Sequence, residues 1–130
     1  MVTRIFIGIL LLTFIVGCSS DDGQNTSKEE DRAELKTLYD SIVKLSLSEQ
    51  CINANEWAFT ARGSKACGGP SGYIAYSLNI DEVKFLRLVN SYTEKEEAYN
   101  LKWNIVSDCM LYVEPDGVVC KDGLPVFYHE

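Results

Sequence analysis

Five cysteines and one histidine are the most chemically versatile side chains in this 130-residue chain. A cysteine serves as a thiolate nucleophile or metal ligand when reduced, and as a cross-link when oxidised. The steps from Cys51 to Cys67, Cys109 and Cys120 are 16, 42 and 11 residues. A four-cysteine zinc site wants Cys-x-x-Cys knuckles, and these spacings have none, so no metal is expected. His129 is the penultimate residue, where a chain end frays, which makes it a poor general base. Gly-x-Ser-x-Gly is absent, and Ser64-Lys65 is adjacent rather than three apart as in Ser-x-x-Lys. Glu96 and Glu97 are consecutive on an expected helix and face different ways, which does not suit glycosidase chemistry. Glu94, Glu97 and Asp108 would hold a metal only if folding gathered them. No catalytic residue, metal or cofactor is assigned, and the chain is not expected to be an enzyme.

Binding chemistry is better represented. Gly68-Gly69-Pro70-Ser71-Gly72 lacks both the phosphate-loop lysine and the G-x-G-x-x-G spacing, so it is no phosphate cradle by motif. Its glycines do permit close backbone approach, by a ligand or by the protein's own chain as Cys67 reaches a partner. Between Glu56 and Asp81 there is no acid, while Arg62 and Lys65 flank the loop. A chain of net charge −7 thus carries one positive, aromatic-rich island with Trp57, Tyr73 and Tyr76. Tyrosine, tryptophan and arginine are enriched at binding hot spots, so Arg62, Lys65, Tyr73 and Tyr76 form the candidate binding surface. The alternative is that the aromatics are core and the two cations are simply solvated. The acidic balance argues against a nucleic-acid partner.

The N-terminus reads as an address. Arg4 precedes a twelve-residue apolar run over residues 5–16, too short to span a bilayer but suited to a secretory signal. It ends at Ile15-Val16-Gly17-Cys18, which resembles a bacterial lipobox whose cysteine is acylated and becomes the new N-terminus. The expected organisation is a lipoprotein signal over 1–17, a flexible polar tether over 18–27 and one domain over 28–130. Removing Cys18 leaves four cysteines, which in an exported domain read as two disulfides. Of the three possible pairings, the local set is expected: Cys51 with Cys67 and Cys109 with Cys120. Each pair encloses its own turn signal, and the first loop contributes about 3 kcal/mol in the chain-entropy picture.

The elements that must position these residues follow from periodicity. Residues 28–47 read as an amphipathic helix with Leu35, Leu38, Ile42 and Leu45 on one stripe and Ser27 as N-cap. Residues 57–61 suit a short strand, and 73–77 either a strand or a helical turn. Asp81 caps a second helix to about Lys102, with Phe85, Val89, Tyr92, Tyr99 and Trp103 as its buried stripe and a possible restart at Thr93-Glu94-Lys95-Glu96. The tail alternates through 105–106, 110–113, 118–119 and 124–128 around two glycine turns, which predicts an antiparallel meander. The sum is an α+β fold: two helices packed on a small, mostly antiparallel sheet with two disulfides.

The segments Gly63-Ser64-Lys65-Ala66-Cys67-Gly68-Gly69-Pro70 and Gly72-Tyr73-Ile74-Ala75-Tyr76-Ser77, with Tyr92, Asn100, Trp103, Ser107-Asp108-Cys109 and Val119-Cys120, are similar to a set of small bacterial envelope lipoproteins. Cys18-Ser19-Ser20-Asp21-Asp22-Gly23 also looks like the start of lipoproteins from Bacteroidetes. The resemblance covers roughly residues 51–123 and implies a disulfide-bonded, tethered domain without assigning any residue a catalytic role. The expected localisation is the cell envelope, at the outer membrane, with the bilayer as partner through acylated Cys18. The expected function is a non-catalytic binding module for a protein or glycan partner. Its alternatives are a small envelope enzyme or an inhibitor of a cell-wall hydrolase.

Overall fold

A computed structural model describes residues 26–130. The expected signal segment, Cys18 and residues 18–25 of the expected tether lie outside the described residues. No described helix is long and apolar enough to cross a membrane.

Helix α1 runs over Lys28–Ser46 and starts where the capping signal predicts. The Glu30 amide donates to Ser27 Oγ at 3.2 Å, and the Ser27 amide donates to Glu30 Oε2 at 2.7 Å, a closed capping box. A short 3₁₀ turn leads into strand β1, Trp57–Arg62, which pairs antiparallel with β2, Gly72–Ser77. The ambiguous 73–77 segment is thus a strand, its Ile74 and Tyr76 on one face and Ala75 on the other. Helix α2, Glu82–Lys102, is capped by Asp81, whose carboxylate accepts from the Lys84 amide at 2.9 Å. It does not restart at Thr93. The Thr93 and Glu96 side chains reach across to another segment instead of capping. The helix stops at a Schellman-type end: Asn104 takes positive φ, and the Ile105 amide donates to the Asn100 carbonyl at 3.0 Å.

Strands β3, Gly117–Lys121, and β4, Leu124–Tyr128, form a second hairpin and a separate two-stranded sheet. The molecule has three layers. Helices α1 and α2 pack antiparallel on one face of the first hairpin, burying Ile42, Ile74, Tyr76, Phe85, Val89 and Tyr92. The second hairpin covers the opposite face through Cys51, Trp57, Ala75, Val118 and Phe127. The fold is α+β, with two helices on small antiparallel sheets.

One expectation is corrected. Ile105-Val106 and residues 110–113, expected as strands, form none; they lie in an irregular segment between α2 and β3. Cys109 sits at φ 55° and the Asp108 carboxylate accepts the Met110 amide at 3.2 Å, so a turn replaces the ladder. A short apolar run without a neighbouring strand edge does not make a strand.

Candidate functional site

The glycine loop between β1 and β2 is held by α2. Gly63 donates its amide to Thr93 Oγ1 at 2.9 Å, and Ser64 donates its own to Glu96 Oε2 at 2.7 Å. Asn100 Nδ2 donates to the Ser64 carbonyl at 2.7 Å. Thr93, Glu96 and Asn100 fall at i, i+3 and i+7, one face of the helix, so a helical stripe of polar groups satisfies the backbone of a turn. Glu96 also accepts from Ser71 Oγ at 2.7 Å and from the Tyr92 hydroxyl at 2.9 Å. Burial first, and then this carboxylate, push the Tyr92 hydroxyl well above the ordinary phenol range.

The four candidate binding residues do not share a surface. Arg62 lies over the Tyr39 ring at 4.7 Å, donates from Nη1 to Ser71 Oγ at 3.4 Å, and keeps a buried Nε without a hydrogen-bond partner. Its guanidinium crosses Gly72, its partner in the strand register, where a Cβ would meet Nη2 at 3.0 Å. Lys65 donates to Asp108 Oδ1 and to the Met110 carbonyl, both at 2.6 Å, and its side chain is only 11% exposed. Tyr76 is buried against Phe85, and desolvation, then its bond to Glu82, raise its hydroxyl to about 12. Tyr73 stands on the opposite sheet face, edge-on to Phe59. The structure therefore spends both cations on internal contacts and places the two tyrosines back to back.

The local disulfide pairing is also corrected. Cys51 bonds Cys120 and Cys67 bonds Cys109, with Cα separations of 5.3 and 5.6 Å. Cys51 follows α1 and its amide donates to the Gly123 carbonyl at 2.9 Å, which seats it beside the second hairpin. Cys67 lies at the tip of the first hairpin, next to the chain leaving α2. Packing of elements, not nearness in sequence, brings the sulfurs together. The loops span 69 and 42 residues, each contributing about 4 kcal/mol in the chain-entropy picture. Among the described residues no three metal-ligating side chains cluster; Glu94, Glu97 and Asp108 are not gathered.

What the fold does create is a cleft between the helices, about 340 Å³ in volume. Tyr39 of α1 and Tyr92 and Tyr99 of α2 form its aromatic wall, with Arg32, Glu96 and Asn100 as polar groups. Tyr39 and Tyr92 meet at 5.4 Å between centroids. The volume sits at the lower end of the ~300–1,000 Å³ typical of ligand clefts. An aromatic wall with a few convergent polar groups suits the binding of a ligand, and within it the Tyr92 hydroxyl is committed to Glu96 at 2.9 Å. No family model, curated protein or solved structure matches the chain.

Helical periodicity places Tyr92 and Tyr99 in the buried stripe of α2 but singles out neither Tyr39 nor Arg32. The usable signal is in the stripe itself. Tyr92 is buried but Tyr99, seven residues on, is only half-buried, because the α1 side chains opposite it leave a gap.

Proposed function

We propose that the protein is a membrane-tethered, non-catalytic binding module of the bacterial envelope, and that its ligand is a glycan held in the α1–α2 cleft. The tether rests on the sequence alone: a short apolar signal ending in Gly17-Cys18, then a polar stretch. Two disulfides accord with an oxidising, exported compartment. The observation that carries the binding reading is the cleft wall of Tyr39, Tyr92 and Tyr99 beside Arg32 and Asn100. Half-buried Tyr99 offers a flat apolar face for a sugar ring and a polar edge for its hydroxyls, and exposed Arg32 supplies donors beside it. The cleft, rather than the Arg62–Lys65 island, is left to take a ligand, because both cations are occupied within the fold.

The test compares wild type with Tyr99→Ala for retention of soluble fragments released from envelope glycans. The wild type is expected to retain a saccharide that the variant binds at least about tenfold more weakly, a loss of ~1.4 kcal/mol, with an unchanged melting temperature. Equal retention by both, or none by either, overturns the glycan reading.

A further inference from the structure

The segment joining α2 to β3 leaves its apolar side chains in water. Val106 is 91% and Leu111 83% exposed, Met110, Tyr112 and Val113 are exposed as well, and Leu101 in the last turn of α2 adjoins them. This is not a frayed loop. Lys65 grips the Asp108 carboxylate and the Met110 carbonyl from one side, and Cys109 is bonded to Cys67. Lys65 thereby holds the polar groups of the turn and lies 5.4 Å from the Tyr112 ring centroid, while the apolar side chains stay exposed. Such exposure on a small protein marks an interaction surface.

Its place in the fold identifies the occupant. The chain enters the described domain at the same end of the molecule. Lys102 Nζ donates to Thr26 Oγ1 at 2.8 Å and to Asp31 Oδ2 at 2.7 Å, and Trp103 Nε1 donates to Asp31 Oδ2 at 2.8 Å. The first described residue is thus pinned to the end of α2 from which the apolar segment departs. Only seven residues lie between Cys18 and Thr26, so the two are at most ~30 Å apart along the chain. Residues 101–113 also carry no net charge in a chain of −7, with Lys102 bonded to Asp31 and Asp108 to Lys65. Paired charges cost less to bring to a lipid surface than free ones.

We propose that residues 106–113 dock onto the bilayer that anchors the chain, seating Met110, Leu111 and Val113 at the acyl boundary with Tyr112 at the headgroups. This rests on the lipid tether of the function proposed above. Several acyl chains on Cys18 already make attachment permanent, so docking supplies orientation rather than affinity. It fixes which end of the domain faces the membrane and leaves the other end, the first turn of α2 included, turned to the aqueous phase.

The experiment uses the lipidated protein expressed from its full sequence and reconstituted in phosphatidylcholine vesicles, with or without brominated acyl chains. Leu111→Trp places a reporter on the segment, and Val83→Trp places one in the exposed first turn of α2, about 30 Å away along the helix. Wild type, with Trp57 and Trp103, gives the background. The emission added at position 111 is expected to shift to the blue and to lose most of its intensity to bromine, while that at position 83 is unchanged. Vesicle-bound protein with no quenching at 111, or equal quenching at both sites, overturns docking and leaves the tether standing. A blue shift without quenching assigns the segment to a second copy of the chain and overturns it too. Protein that does not sediment with vesicles overturns the tether, and the docking with it.

Discussion

The Glu96 carboxylate and Gly63 are closer than any other side chain at Gly63 would allow. A Cβ on Gly63 would lie 2.1 Å from Glu96 Oε2 and 1.8 Å from Ser71 Oγ, and the residue sits at φ 71°. The absence of a side chain lets the carboxylate reach the Ser64 amide, and so fixes the tip of the first hairpin to α2. Both the Cys67–Cys109 bond and the Lys65 contacts hang from that tip.

Gly63→Ala is expected to destabilise the fold by about 2–4 kcal/mol, combining left-handed strain with the collision. Gly69→Ala is the matched control, since Gly69 has φ 79° but open space around its Cβ, and should cost only about 1–2 kcal/mol. Urea denaturation of both variants measures the difference. Equal losses would mean that the approach of Glu96 contributes nothing.

The two disulfides differ in access. Cys51 is buried, whereas Cys67 and Cys109 are both exposed. Mild reduction followed by alkylation and peptide mapping is expected to open Cys67–Cys109 first and leave Cys51–Cys120 closed. Before reduction, the same mapping should give these two cross-linked peptides and no Cys51–Cys67 peptide. The reverse order of opening, or a local pairing, contradicts the described connectivity.

Asp31 ties the start of α1 to the end of α2. Its bonds to Lys102, Thr26 and the Trp103 indole bring its carboxyl down from 3.8 to about 2. A carboxyl depressed on folding stabilises the native state above its unfolded value and ceases to as pH falls through the folded one. The melting temperature of Asp31→Asn should therefore sit below wild type by a constant gap above about pH 4, and the gap should narrow as the pH falls to about 2. A gap unchanged at the acid end would show that charge plays no part in the contact.

The helices were legible because their signals are local. Ser27 with Glu30 and Asp81 with Lys84 mark starts that depend on four consecutive residues, and the stripe from Phe85 to Tyr92 needs only the helical period. The cysteine partners were not legible, because Cys67 meets Cys109 only after α2 has carried the chain along the first hairpin. The 105–113 segment misled for a related reason: its apolar runs have strand-like composition, but they pair with no strand among the described residues. Arg62 and Lys65 looked free in sequence because their partners, Tyr39 on one side and Asp108 on the other, are 23 and 43 residues away. The cleft was legible only in part, since a stripe predicts that Tyr99 faces inward but not that the opposing surface falls short of it.

The ligand is expected to sit in the cleft between α1 and α2. The direct measurement is a titration of the isotope-labelled protein with the retained saccharide, following backbone and tyrosine-ring resonances by NMR. Saturable shifts are expected at Tyr39, Tyr92, Tyr99 and Asn100, with residues 106–113 and the second hairpin unmoved. Shifts centred on the second hairpin or on residues 106–113, with the three tyrosines silent, would contradict it.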